Sequence, residues 1–266
     1  MLTTRCLVQN SDYEIRTVEC AEDGAGWSPA ETTTATQIVL VQRGRFRVKS
    51  GDRSTTVDST AGYLHPPGQE TRFAHPAGGD ICTALTLPGE RLTTGIDPAR
   101  AWTVRVDGRL ELAHRVLLRD NADPDFATAE AVLELLQLAL RRRPEESPAP
   151  GRYALADRAR EAILADEPGS SGLVDLAALL QTSPAHLSRT FSHHTGMSVS
   201  RFRNRVRISR ALERLDEGES DLAALASGLG FSDQAHFTRT MRAELGQSPG
   251  QVRGLFARRS TDFLRS

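Results

Sequence analysis

The feature that most constrains this 266-residue chain is a stretch that it spells twice. Residues 185–190 read Ala-His-Leu-Ser-Arg-Thr, and residues 235–240 read Ala-His-Phe-Thr-Arg-Thr. The offset of 50 between His186 and His236 also holds for Arg189/Arg239, Gly196/Gly246, Ser198/Ser248 and Arg203/Arg253. Upstream of each copy stands Leu-Ala-Ala-Leu, at Leu176–Leu179 and Leu222–Leu225, with an offset of 46. Aligned on those tetrapeptides, the second copy carries four extra residues in its turn. Apolar residues at helical spacing around short turns predict two related helix–turn–helix units in one chain.

Local signals set the boundaries of each unit. A first helix is expected near Tyr153–Asp166, closed by Pro168-Gly169, followed by a helix over Leu173–Leu180. Thr182-Ser183-Pro184 supplies a turn, an N-cap and a proline at the first helical position, where its missing N–H costs nothing. The helix from Pro184 to about Thr195 should bury Leu187 and Phe191 and stop at Gly196. A long helix, about Val199–Asp216, then joins the units. In the second unit, Leu222–Ser227 is the first helix and Gly228-Leu229-Gly230-Phe231 the turn. Ser232 is the expected N-cap of a helix over Asp233–Leu245 that turns Phe237 and Met241 inward. The two units thus span about 173–195 and 222–245.

The outward residues of the second helix in each unit have the chemistry of base and phosphate recognition. Ala185, His186, Ser188 and Arg189 face out in the first, and Gln234, His236, Thr238, Arg239 and Arg242 in the second. Arginine can donate two hydrogen bonds to guanine, glutamine can pair bidentately with adenine, and hydroxyls with helix N-terminal amides hold phosphates. The whole chain carries a net charge of −1, so any attraction to a polyanion must be local. Between Ala185 and Arg210 there are six arginines (189, 201, 203, 205, 207 and 210) and no Asp or Glu. Arg207 lies on the joining helix, where an internal salt bridge is expected rather than a DNA contact. Pro184 against Gln234 is the sharpest difference between the copies, and it favours the richer contact in the second.

With these residues in view, the segment from about 157 to 256 resembles the DNA-binding domain of the AraC/XylS family. The resemblance rests on Gly230-Phe231-Ser232-Asp233-Gln234-Ala235-His236-Phe237-Thr238-Arg239, on Gly246-Gln247-Ser248-Pro249, and on the Arg207, Ala211, Leu215 spacing. It implies two recognition helices about one turn of double-stranded DNA apart, read by one protomer in adjacent major grooves. By position it carries base- or phosphate-contacting roles onto Ala185, Ser188, Arg189, Gln234, His236, Thr238 and Arg239. Ala185 departs from the bulkier residues some relatives use, which leaves the first helix fewer bases to read. The resemblance further implies RNA polymerase and a small-molecule effector as partners, and an activator's role. Alkyl-transfer repair proteins can carry the same domain, but they need four zinc cysteines and a Pro-Cys-His-Arg acceptor, and this chain has three cysteines and no such motif.

The N-terminal part reads as β. Arg45–Lys49 alternates charged and apolar residues, and Ile81–Leu87 alternates less cleanly, presenting Ile81, Thr83, Leu85 and Leu87 on one face. Ile38–Val41 is a continuous apolar run suited to a strand buried on both sides. Turn signals at Arg43-Gly44, Ser50-Gly51-Asp52, Ala61-Gly62, Pro66-Pro67-Gly68 and Gly78-Gly79-Asp80 separate the strands. Short strands without intervening helices indicate a sandwich or barrel, and the turn spacing resembles the small cupin-like barrel used as a sensor domain. Cupin enzymes hold a metal through His-x-His, Glu and a later His. His65, Glu70 and His75 are the nearest approximation, with Pro66-Pro67 directly after His65, so these histidines are expected in surface loops and no enzyme activity is expected.

Cys6, Cys20 and Cys82 are odd in number and scattered, which argues against a disulfide framework and for a reducing interior. Two readings stay open. Cys20, His75 and Cys82 could converge as ligands for Zn²⁺ or another soft metal, or the two thiols could form a redox pair. Alternatively, the cysteines simply fill the core.

Between the halves, Leu110, Ala113, Val116 and Leu117 predict one amphipathic helix, broken at Asn121–Asp125. A second has Phe126, Ala129, Val132, Leu133, Leu136 and Leu140 on one face, with Leu135 and Leu138 off that stripe, and ends in Arg141-Arg142-Arg143. Its apolar face packs on the barrel or forms a homodimer contact. Glu145–Gly151, with two prolines, reads as a linker. No apolar run approaches the ~20 residues of a membrane span and no secretory signal is recognisable, so a soluble, cytoplasmic protein is expected. The expected fold class is α+β multidomain: a cupin-like β-barrel at 1–105, a helical pair at 106–146, a linker at 147–152 and an all-α DNA-binding domain at 153–258.

Overall fold

The computed structural model describes residues 2–21, 24–89, 102–119, 126–140 and 154–257. Expectations for Asn121–Asp125, Arg141–Arg143, the linker at 147–152 and Tyr153 fall outside them. The chain divides into two compact units, one of residues 1–147 with 255–266 and one of residues 148–254. The expected α+β class is what is observed.

The first unit holds β1 (Leu2–Gln9), β2 (Glu14–Cys20), β3 (Thr36–Arg43), β4 (Phe46–Ser50), β5 (Arg53–Val57), β6 (Ala61–His65), β7 (Arg72–Ala74), β8 (Asp80–Leu87) and β9 (Thr103–Arg105). They form an antiparallel six-stranded sheet, β1-β2-β8-β3-β6-β9, and a three-stranded sheet, β5-β4-β7. Helices α1 (Gly108–Arg119) and α2 (Ala127–Leu140) complete the unit. Strand β3 explains the layering. Ile38 and Leu40 join Leu110, Val132 and Leu136 in one apolar cluster, while Val39 and Val41 join Phe46, Val48, Val57 and Tyr63 in another. One cluster lies between the large sheet and the helices, the other between the two sheets. Burial of a strand on both faces removes the alternation that a half-buried strand shows, and this accounts for the apolar run at Ile38–Val41. Strand β8 is likewise buried on both sides, which is why its alternation is imperfect: Leu85 and Leu87 face the helices, Cys82 and Ala84 the second sheet.

Both helices bury faces offset from those the apolar pattern predicts. Helix α1 buries Leu110, Glu111, His114, Arg115 and Leu117, whereas Ala113 and Val116 are only half-buried. The polar members are paired. Arg115 Nη2 lies 3.0 Å from Glu111 Oε1 and donates to Gln42 O at 3.3 Å. His114 Nε2 meets Thr83 Oγ1 at 2.7 Å. In α2 the buried stripe is Thr128, Val132, Leu135, Leu136 and Ala139. Phe126 (77% exposed), Leu133 (46%) and Leu140 (36%) turn outward instead. Residues 132, 135, 136 and 139 follow the i, i+3, i+4, i+7 spacing that covers one flank of a helix, leaving the heptad-spaced line on the other. His65 is also corrected: it closes β6, is only 4% exposed, and its Nε2 lies 3.0 Å from Gln69 O. Among the described residues no helix is long and apolar enough to cross a membrane.

The second unit is built from α3 (Ala154–Leu164), α4 (Leu173–Leu179), α5 (Pro184–Thr195), α6 (Val199–Asp216), α7 (Leu222–Gly228), α8 (Gln234–Leu245) and, as far as residue 254, α9 (Pro249–Ala257). Helix α9 escaped the sequence reading, although a capping box marks it. Gln251 N donates to Ser248 Oγ at 3.3 Å, and Ser248 N donates to Gln251 Oε1 at 2.8 Å. The structure also overturns the alignment of the two Leu-Ala-Ala-Leu tetrapeptides. The buried pair Leu176-Ala177 of α4 is matched by Leu225-Ala226 of α7, an offset of 49, while Leu179 is 39% exposed. The turns confirm this register. Thr182 N donates to Ala177 O, and Phe231 N to Ala226 O, around the left-handed residues Gln181 (φ 55) and Gly230 (φ 73). The second turn is therefore longer by one residue, not four. The tetrapeptides match in letters because both helices are Leu/Ala-rich, but only the buried positions are equivalent.

Candidate nucleic-acid interface

Each unit presents a capped second helix with its polar N-terminal residues outward. Ser183 caps α5 by accepting from His186 N at 3.2 Å, with Pro184 in the first turn, and Gly196 (φ 66) closes it. In α8 the cap is Asp233 rather than the expected Ser232, and it accepts from His236 N at 2.6 Å. That hydrogen bond, aided by Ser232 and the Arg239 charge, holds the Asp233 carboxyl below its ordinary range. Ser232 instead donates to Asp233 Oδ2 at 3.2 Å. Underneath, Leu187 and Phe191 in α5, and Phe237 and Met241 in α8, are buried as their spacing predicts.

The outward residues differ in freedom. Ala185, His186, Arg189, Gln234, Arg239 and Arg242 are exposed, and Ser188 and Thr238 half-exposed. His236 is held against the turn: its ring lies edge-on to Phe231 at 5.4 Å and its Nδ1 is 3.2 Å from Ser232 Oγ. His186, at the repeated position, has no such aromatic neighbour in its turn, because Thr182 stands where Phe231 stands.

The arginine run divides once the helix is folded. Arg205 is buried, Arg201 pairs with Glu244 at 3.5 Å, and Arg210 pairs with Asp166 at 3.3 Å and donates to Leu164 O at 3.1 Å. Arg207 is internal, but its partner is the face of Phe231, 5.6 Å from the ring centroid, and not the expected salt bridge. Arg203, Arg207 and Arg210 line a cavity of about 220 Å³ with Asp166, Ser170 and the turn at Gly230. Burial lowers the Arg203 and Arg207 pKa values, and the Arg203 charge adds to the effect on Arg207. Much of the basic run is thus consumed inside the domain, leaving Arg189 as its exposed member on α5.

The sequence-predicted cysteine cluster is brought together in part. Cys20 Sγ lies 3.5 Å from His75 Nε2, and His75 Nδ1 lies 2.6 Å from Asp80 Oδ1. The Cys82 thiol bonds to Asp80 instead of reaching His75, and its burial, then the Asp80 charge, pushes its pKa up. Asp80, expected only as a turn residue, is the hub. Burial raises its pKa and the adjacent His75 opposes that rise. In the β2–β8 register Cys20 faces Asp80, and Val18 faces Cys82. Cys20 and Cys82 are therefore diagonal neighbours, typically ~7–8 Å apart. A disulfide needs Cα atoms within about 7 Å, so this register does not favour one. All three cysteines are free, Cys6 exposed and the others buried.

Two short-turned helix pairs in one compact unit, each with an exposed polar helix N-terminus, define a double helix–turn–helix domain. Residues 176–254 match a family model described as a helix-turn-helix domain. The uncharacterised transcriptional regulator YfiF of Bacillus subtilis is 37% identical over 84 residues, 32% of this chain and 26% of that protein. The transcriptional activator RhaS of Pectobacterium atrosepticum is 35% identical over 89 residues, 33% of this chain and 30% of that protein. The arabinose operon regulatory protein of Escherichia coli is 32% identical over 126 residues, 46% of this chain and 43% of that protein. The C-terminal unit is an AraC-type helix-turn-helix domain. The chain spans less than half the length of these relatives.

Proposed function

We propose that this chain is a cytoplasmic, sequence-specific DNA-binding transcription regulator, not an enzyme, which reads adjacent major grooves with α5 and α8. One observation carries the reading: both helices stand on matching buried cores and present Ser188, Arg189, Gln234, Thr238 and Arg239 at or near the surface of their N-terminal halves. Those are the side chains that read bases and hold phosphates. The strands of the β-rich unit, within residues 1–105, serve as the sensor of a small-molecule effector, the linker at 147–152 joins the unit to the reading domain, and RNA polymerase is the partner through which the protein activates. The outward line of Phe126, just before α2, with Leu133 and Leu140 on it has the seven-residue spacing of a helix–helix seam and is the proposed homodimer contact. Leu133→Glu is expected to shift sedimentation from dimer to monomer; an unchanged sedimentation coefficient removes that contact. The alternative of a thiol- or metal-responsive regulator is supported by the contact between Cys20 and His75.

Gel-shift of the purified protein on the DNA upstream of its own gene tests the main reading. A salt-sensitive complex that survives nonspecific competitor is expected. Equal affinity for scrambled DNA, or none for either, refutes it.

A further inference from the structure

We propose that Cys20, His75 and Asp80 form a binding site for one soft divalent metal ion of the Zn²⁺ class, with the Cys20 thiolate and His75 Nε2 as its protein ligands and Asp80 as the group that aims the imidazole. The three residues come from the end of β2, the turn before β8 and the first residue of β8, and one ligand atom from each lies within 4.8 Å of the others. The separation of Cys20 Sγ and His75 Nε2, 3.5 Å, matches a coordination edge. Zn–S and Zn–N bonds of usual length at a tetrahedral angle place the two ligands about 3.6 Å apart. An ion therefore fits between them with little movement of either side chain.

The imidazole is held as a metal-binding histidine is held. His75 Nδ1 lies 2.6 Å from Asp80 Oδ1; with the imidazole proton on Nδ1, the carboxylate accepts it and the Nε2 lone pair is left for a metal on the Cys20 side, as in the carboxylate–histidine–metal arrangement. Phe46 lies under the ring at 5.8 Å, and His75 N donates to Gly24 O at 2.9 Å. The backbone is equally constrained. A Cβ on Gly79 would come within 2.5 Å of Cys20 O, so only glycine lets the turn approach β2 closely enough to set His75 over Cys20. A metal is bound by the thiolate, so binding displaces the Cys20 thiol proton. Cys82 is bonded to Asp80 and lies one diagonal away, outside the ligand set.

The test uses the full-length, metal-stripped protein with Co²⁺ and Zn²⁺ as probes. One Co²⁺ per chain with a thiolate-to-cobalt absorption band is expected, and excess Zn²⁺ should remove the band. Cys20→Ser should abolish it, Asp80→Asn should weaken binding about 10–100-fold, and Cys82→Ser and Cys6→Ser should leave affinity within about threefold. Absence of the band in the wild-type protein, its persistence in Cys20→Ser, or its loss in Cys82→Ser overturns the assignment. Because a variant can fail to fold, alkylation of the wild-type protein provides a second measurement. Zn²⁺ should slow modification of Cys20 at least tenfold and leave Cys6 unchanged; equal rates at Cys20 with and without Zn²⁺ overturn the proposal. Neither measurement reads DNA binding, so this outcome stands apart from the regulator reading.

Discussion

The two units differ in what they bury. Among the described residues, twelve buried polar or charged side chains lie in the β-rich unit, His65, Asp80, Glu111, His114 and Arg115 included, against Ser170, Arg205 and Ser209 in the helical unit. The helical unit keeps Ser188, Arg189, Gln234, Thr238 and Arg239 at or near the surface and fills its interior with Leu187, Phe191, Phe202, Phe237 and Met241. Buried polar groups must be satisfied by partners, and each such network couples the fold to protonation or to a ligand. The first kind of interior makes stability depend on pH through its buried titratable groups, and the second places its polar side chains at the surface. Within the helical unit the same division recurs: the two helix–turn–helix copies share their buried positions and differ at the entrances to α5 and α8.

The comparison is broken most severely in the apolar core. Phe237→Ala is expected to cost about 3–5 kcal/mol and Leu187→Ala about 2–5 kcal/mol, measured by urea unfolding, with unfolding of the β-rich unit unmoved. A common shift of both transitions would show that the units do not unfold separately. Acid should act the other way round, on the β-rich unit. His114 is buried, and burial, then the Arg115 charge, push its pKa down to about 3 from an ordinary 6.5. The unfolded chain takes up this proton below about pH 6.5 and the folded unit does not. Stability therefore falls with pH, by about 1.4 kcal/mol per pH unit for one such group, until the folded pKa is reached. His65, also lowered by burial, adds in the same direction. Subtracting the pH profile of His114→Gln from that of the wild type isolates the His114 share; parallel profiles would contradict its neutral burial.

Smaller effects sharpen the contrast between the copies. Arg239→Ala and Arg189→Ala should each cost about 1–3 kcal/mol in DNA affinity and relax specificity at one base pair. The loss should be greater for the second helix, which also offers Gln234; equal loss on every sequence would mark a phosphate contact instead. The caps come last. Ser183→Ala should cost about 1 kcal/mol of helical-unit stability. Asp233→Ala should act in the same direction, but with a pH signature: its carboxyl is held low in the fold. That contribution is present above the ordinary carboxylate pKa and fades as pH falls through the lowered one. A cap loss at Asp233 that did not depend on pH would point to a role outside the helix terminus.

What the residues announce by themselves is local. The bounds of α5 and α6 could be read because Ser183, Pro184, Gly196 and Ser198 act within one turn of their own backbone. Leu187 with Phe191, and Phe237 with Met241, follow because helical spacing puts i and i+4 on one face. Even local signals carry ambiguity. Ser232 and Asp233 are both good caps, and the longer second turn selected the aspartate. In α2 the apolar residues outnumber one face, so only the sheet underneath decided that Val132, Leu135 and Leu136 go in and Leu133 stays out. The partners of Cys20, Thr83 and Gln42 lie 55, 31 and 73 residues away, in His75, His114 and Arg115. Such pairings depend on strand register and on which helix covers which sheet face, and a one-residue slip would send each side chain to the opposite face. The doubled helix–turn–helix motif was therefore written in the sequence, while the Cys20–His75–Asp80 cluster exists only because β2 and β8 pair in this register.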